Sequence, residues 1–84
     1  MGAKVKDSIK VLSGKSFLGN RYQIKFVIKN GELSDIIHND HINLHIKELI
    51  DAFRKRKTKY TTDAVNLIKL KMINLNEFVC ENEQ

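Results

Sequence analysis

The chain has 84 residues, a formal charge of +5, one cysteine and no proline or tryptophan. A chain of this length makes one domain that buries roughly 60% of the surface its unfolded form exposes, and a single cysteine excludes a disulfide framework. No stretch approaches the ~18 apolar residues of a membrane span, and MGAKVKDSIK has charge without an apolar run behind it; the expectation is a cytoplasmic protein with a reduced thiol, no signal peptide and no membrane contact.

The first element expected is a strand near residues 5–13, where DSIKVLS puts Ile9 and Val11 on one face. GKSFLGN, Gly14 to Asn20, is the loop that follows. Phe17 and Leu18 stand at its tip, where they are expected to fold back on the core, the alternative being exposure for a partner.

RYQIKFVIKNGELSDII carries the clearest pattern. Tyr22, Ile24, Phe26 and Ile28 alternate with Gln23, Lys25 and Lys29, which predicts a strand over 21–29 with one face in the core. Asn30-Gly31 supplies the two positive-φ residues of a type I′ turn into a strand over 32–38. That turn sets Lys29 opposite Glu32, Ile28 opposite Leu33 and Ile24 opposite Ile37. Asp35 then falls opposite Phe26 on the apolar face, a mismatch that marks a bulge.

Asn39 and Asp40 are candidate caps for a helix over 41–56. Ile42, Ile46, Leu49, Ile50 and Phe53 form its apolar stripe, and Leu44 points the other way as an exposed apolar residue. Continuing the helix would aim Lys57 into that stripe, so it ends between Arg54 and Arg56. The run Arg54, Lys55, Arg56, Lys57 and Lys59 is then the last turn plus the exit loop. Cations there meet the negative end of the helix dipole, about 0.3–1 kcal/mol each at low salt. That role accounts for two of the five charges comfortably.

In the segment 64–79, Val65, Ile68, Met72, Leu75 and Val79 fall on heptad-like positions with Thr61, Thr62 or Asp63 as the cap, which favours a second helix. The alternative is a fourth strand, against which the parity flips at Leu67/Ile68 and Met72/Ile73 count. As a helix it leaves Leu67, Leu70 and Ile73 needing a second neighbour, either the sheet or another subunit in a homodimer. Residues 80–84 read as a solvated tail.

Candidate chemistry is sparse. Gly14-Lys15-Ser16 resembles the end of a phosphate-binding loop, but Ile9 stands where its first glycine belongs. His38, His41 and His45 have H-x-x-H-x-x-x-H spacing, and a helix brings the last two onto neighbouring turns. Helical phase puts His45 at the edge of the apolar stripe and His41 outside it, so no metal is expected. A histidine-based ribonuclease is disfavoured because the histidines and the basic run sit at opposite ends of the helix, about 25 Å apart at 1.5 Å per residue. Cys80 lies beside Glu77, Glu81 and Glu83. Acidic neighbours raise a thiol's pKa and argue against a nucleophile, leaving a small buried or half-buried residue.

Charge is arranged in blocks. Residues 1–31 hold seven cations and one acid, residues 32–53 five acids and one cation, and residues 54–59 five cations. Lys25 and Lys29 share the strand face away from the core, and Lys4, Lys6, Lys10, Lys15 and Arg21 are candidates to extend it into a stripe flanked by Arg54–Lys59. The 12 Lys, 10 Ile and 8 Asn all use A/T-rich codons, which points to an A/T-rich genome such as that of a low-GC bacterium or its phage.

The expected fold class is α+β: a three-stranded antiparallel sheet packed by one amphipathic helix, with a C-terminal second helix or, alternatively, a fourth strand. The expected function is non-enzymatic binding of nucleic acid through its phosphate backbone by Lys25, Lys29, Arg54, Lys55, Arg56, Lys57 and Lys59, without a cofactor. The rival expectation is a small inhibitor or adaptor, of phage or mobile-element type, docking on an acidic protein surface through Phe17, Leu18 and Leu44.

Overall fold

The computed structural model describes residues 7–16, 18–39 and 41–83, with side chains as far as Cys80. Its elements are β1 (Ser8–Lys15), β2 (Arg21–Lys29), β3 (Glu32–His38), α1 (Leu44–Arg56), α2 (Thr61–Asn74) and β4 (Phe78–Glu83). The sheet is antiparallel throughout in the order β3-β2-β1-β4. The α+β class holds: the segment 64–79 is mostly the expected second helix, and a short fourth strand is present as well, over Phe78–Glu83. Phe17 and Asp40 lie outside the described residues, as do Lys4 and Lys6.

The β2–β3 hairpin closes as its sequence demands, with Asn30 at φ 54° and Gly31 at φ 77°. Lys29 pairs with Glu32 and Ile28 with Leu33. The bulge then falls between Val27 and Ile28, so Phe26 meets Ile36, Val27 meets Asp35 and Ile24 meets His38 instead of Ile37. One added residue on β3 reverses the parity of the rest of the strand. It turns the Asp35 carboxylate away from the core and delivers Ile36 into it.

On β1 Ile9 and Val11 share one face as expected, and it is the face away from the helices. Leu12 and Gly14 look toward the helices, while Ile9 and Val11 lie on the far face; Leu12 belongs to the core cluster and Val11, though buried, does not. Lys10, paired in register with Phe26, is on the helix side and does not extend the stripe of far-face cations.

Helix α1 starts later than expected, at Leu44. Asn43, extended at φ −61° and ψ 137°, is its cap, and its Oδ1 accepts the His45 N–H at 2.8 Å. Asn39 is already committed elsewhere: its Oδ1 accepts the Gln23 N–H at 2.7 Å. Ile46, Ile50 and Phe53 are buried, and Ile42 and Leu49 pack beside them. The helix ends at Arg56, where Lys57 turns left-handed and its N–H reaches the Arg54 and Phe53 carbonyls.

Helix α2 buries Ala64, Val65, Ile68 and Met72. None of the three expected caps serves it. Tyr60 is the cap without a side-chain bond, and the buried Thr61 Oγ1 has no hydrogen-bond partner. Full burial of the Phe26, Leu12, Ile24, Ile46, Ile50, Ile68 and Met72 side chains stabilises the layers by about 1.5–3 kcal/mol each. Residues 80–83, expected in a solvated tail, are strand: β4 pairs along β1 from Lys15↔Phe78 to Lys10↔Glu83.

Candidate functional site

Both helices lie on one side of the sheet, so the other side is where strand parity sends the remaining residues. Along β2 these are Arg21, Gln23, Lys25, Val27 and Lys29, alternating with the buried Tyr22, Ile24 and Phe26. Arg21, Lys25 and Lys29 are exposed and four residues apart, hence about 13 Å between successive cations along the strand. This matches the expectation for Lys25 and Lys29.

Register extends the rows across the sheet. Phe78 on β4, Lys15 on β1 and Arg21 on β2 are successive partners, so they form one row on the far face. The next row holds Cys80, Ser13 and Gln23. Lys25 then stands between Val11 and Ile37, the latter half-exposed. At the Phe78 end lies a half-open groove of about 640 Å³ lined by Ser13, Gly14, Lys15, Arg21, Tyr22, Gln23, Asn39, Phe78 and Cys80. The described lining holds two cations and no acid. Phe78, at 64% exposed, is its large apolar surface. Cys80 is exposed there, contrary to the buried or half-buried position expected.

The basic run goes elsewhere. Arg54 is tied to β3: its Nε lies 3.4 Å from Asp35 Oδ1, and its guanidinium donates to the Ile36 carbonyl. Lys55, Arg56, Lys57 and Lys59 are exposed around the end of α1. The exit loop then runs along the β3 edge, where the Lys59 carbonyl accepts the Leu33 N–H at 2.9 Å. Glu32 and Asp35 on β3 stand between this run and the β2 cations. The cations thus form two zones divided by acids, and Arg54 belongs to neither.

Leu18 does not fold back on the core as expected but is 84% exposed, and Leu44 is 63% exposed; they sit on different elements, the β1–β2 loop and the start of α1. Leu67, Leu70 and Ile73 are each about half-exposed on α2. His45 lies 3.8 Å from Glu48, and His38 Nδ1 is 2.9 Å from the Asn39 carbonyl oxygen. No cluster of three or more His, Cys, Asp or Glu among the described residues is placed to hold a metal ion. No described helix is long and apolar enough to cross a membrane.

Phe78 and its groove escaped the sequence reading, because FVCENE has neither clean alternation nor a turn signal strong enough to separate it from the preceding helix. A usable signal is the Asn-Leu-Asn triplet at 74–76, where Asn76 takes φ 59° and ends α2.

The fold and site define a small α+β protein with one helix-covered face and one far face that is basic along its second strand. Comparison of the chain with family models, curated proteins and solved structures finds no match.

Proposed function

We propose that this is a non-enzymatic, cytoplasmic protein that binds nucleic acid through phosphate contacts on the far face of its sheet. The observation that carries the reading is the Arg21–Lys25–Lys29 row on β2, extended by Lys15 at the groove. A central strand holds these cations at fixed spacing, so little ordering is needed when phosphates bind. Lys55, Arg56, Lys57 and Lys59 act at longer range, raising the encounter rate from the β3 edge. Arg54 is withdrawn from the contact set because Asp35 and the Ile36 carbonyl hold it.

The test is binding of a labelled oligonucleotide over a range of salt. Four phosphate contacts give a slope of log affinity against log salt of about −3 on a single strand. Charge reversal at Arg21, Lys25 and Lys29 together should abolish binding while leaving the circular dichroism unchanged. Absence of salt-steep binding by the native chain rejects the reading.

A second reading rests on α2. Leu67, Leu70 and Ile73 are half-exposed in succession, which favours an inhibitor or adaptor that docks this helix on another protein, or a homodimer through the same stripe. Sedimentation separates these outcomes: the dimer appears with the chain alone, and the adaptor only with its partner.

A further inference from the structure

The groove at the Phe78 end of the far face contains a feature that phosphate binding alone leaves unexplained. A phenylalanine ring is left 64% exposed on β4, in one cross-strand row with Lys15 and Arg21. Burying such a ring is worth about 1.5–3 kcal/mol, so an exposed one on the edge strand, at the end of a row that continues with two cations, is a surface where a planar apolar group gains most. The groove beside it, about 640 Å³, falls in the roughly 300–1,000 Å³ range of ligand sites. Its lining is mostly apolar surface with two cations, Lys15 and Arg21, and no described acid. The Gln23 N–H bonded to Asn39 Oδ1 fixes the far wall.

We propose that this groove is a base-stacking subsite for single-stranded nucleic acid. It rests on the reading that the far face binds phosphates, and names the strand form that the face prefers. A nucleobase lies on the Phe78 ring, its phosphates are met by Lys15 and Arg21, and the strand continues along Lys25 and Lys29. The ring projects from a sheet surface and therefore reaches only a base that is already unstacked. A duplex keeps its bases paired inside and offers this site phosphates alone. Charge complementarity selects the occupant: a planar group with its negative charge on one side, toward β1 and β2, fits a ring at the sheet edge followed in line by two cations.

The chain has no tryptophan, so Phe78→Trp provides a single tryptophan at the site, excited apart from the two tyrosines. The experiment measures binding of a short oligothymidylate, of a duplex of equal phosphate number and of a mononucleotide to the native chain, Phe78→Ala and Phe78→Trp. The expected result is tighter binding of the single strand than of the duplex or mononucleotide. Phe78→Ala should lose about 5- to 150-fold in single-strand affinity with an unchanged salt slope, because the ring carries no charge. Phe78→Trp should retain affinity, and its emission should be quenched by the strand. If Phe78→Ala binds the single strand as well as the native chain does, or single strand and duplex bind equally, stacking is overturned while the phosphate reading stands. Failure of every nucleic acid to bind overturns both. A mononucleotide binding as tightly as the strand makes the groove a nucleotide pocket and overturns the proposal.

Discussion

The Tyr22 hydroxyl crosses from the central sheet to donate to the Glu77 carboxylate, 55 positions later in the chain, just before β4. The second carboxylate oxygen accepts from Asn43 Nδ2 at 3.2 Å, and the same Asn43 caps α1. One buried carboxylate therefore joins β2, the start of α1 and the entry to β4. Burial first, then the hydrogen bond to Glu77 and its negative charge, raise the Tyr22 phenol well above the ordinary tyrosine value. The folded chain holds that proton more tightly than the unfolded one. The stability it contributes is complete below about pH 10 and is lost as pH rises beyond that, where the unfolded phenol ionises first. Tyr22→Phe should cost about 1–3 kcal/mol near neutral pH, because Glu77 loses a buried donor. It should also flatten the alkaline limb of stability against pH. Urea unfolding of both proteins between neutral and strongly alkaline pH checks both effects.

Gly14 makes that arrangement fit. A Cβ at this position would stand 2.5 Å from Tyr22 Cζ and 2.6 Å from Met72 Cε. The methionine end can yield, but the tyrosine ring is pinned by Glu77. Gly14→Ala should therefore destabilise by about 1–3 kcal/mol and lose part of that penalty in the Tyr22→Leu background. A double-mutant cycle in urea measures the coupling, and additive effects would mean that the ring is not the obstacle.

Much of this was legible where one local rule governs one element. The pairs beside the hairpin turn followed from Asn30-Gly31, and the bulge that shifts the rest was announced by Asp35 falling on the apolar face. The stripe of α1 was readable because Ile46, Ile50 and Phe53 keep strict helical spacing. The pieces that escaped depend on distant partners. Asn43 caps α1 while also serving Glu77, and Gly14 reads as a turn residue until Tyr22 and Met72 are brought over it. Helix α2 has apolar residues nearly all round, so the choice between helix and strand stayed open and its junction with β4 was hidden, although the inward face through Val65, Ile68 and Met72 was readable. The candidate site shared that fate: Lys25 and Lys29 emerged from strand parity, whereas Phe78 joined them only through the β1–β4 register. The basic run is conspicuous because contiguous charge is visible in a sequence, whereas the placement of Glu32 and Asp35 between it and the β2 cations appears only with the β2–β3 register.

Arg54 is held by its own molecule, through Asp35 and the Ile36 carbonyl, whereas Lys25 is exposed. Both Arg54 and Asp35 are partly exposed, so screening limits the ion pair to about 0–1 kcal/mol; the bond to the Ile36 carbonyl adds a tie to an edge strand. Arg54→Ala should lower stability by about 1 kcal/mol and leave the salt slope of nucleic-acid binding unchanged. Lys25→Glu should do the reverse, keeping stability within about 0.5 kcal/mol and weakening binding. Paired unfolding and anisotropy measurements on the two variants decide this, and a large binding loss in Arg54→Ala would return that residue to the contact set.

The two sides of α2 should respond oppositely to substitution. Ile68 is fully buried, and removing its side chain in Ile68→Ala leaves a cavity beneath the helix, at a cost of about 2–5 kcal/mol. Leu70, two positions away, is half-exposed, and Leu70→Glu should change the stability of the isolated monomer by less than about 0.5 kcal/mol. If the stripe through Leu67, Leu70 and Ile73 is a contact with another copy, Leu70→Glu instead makes the native chain's concentration-dependent stability disappear. Urea midpoints over a wide range of protein concentration distinguish the two cases. A constant midpoint in both proteins would leave the stripe to a different protein, or to solvent.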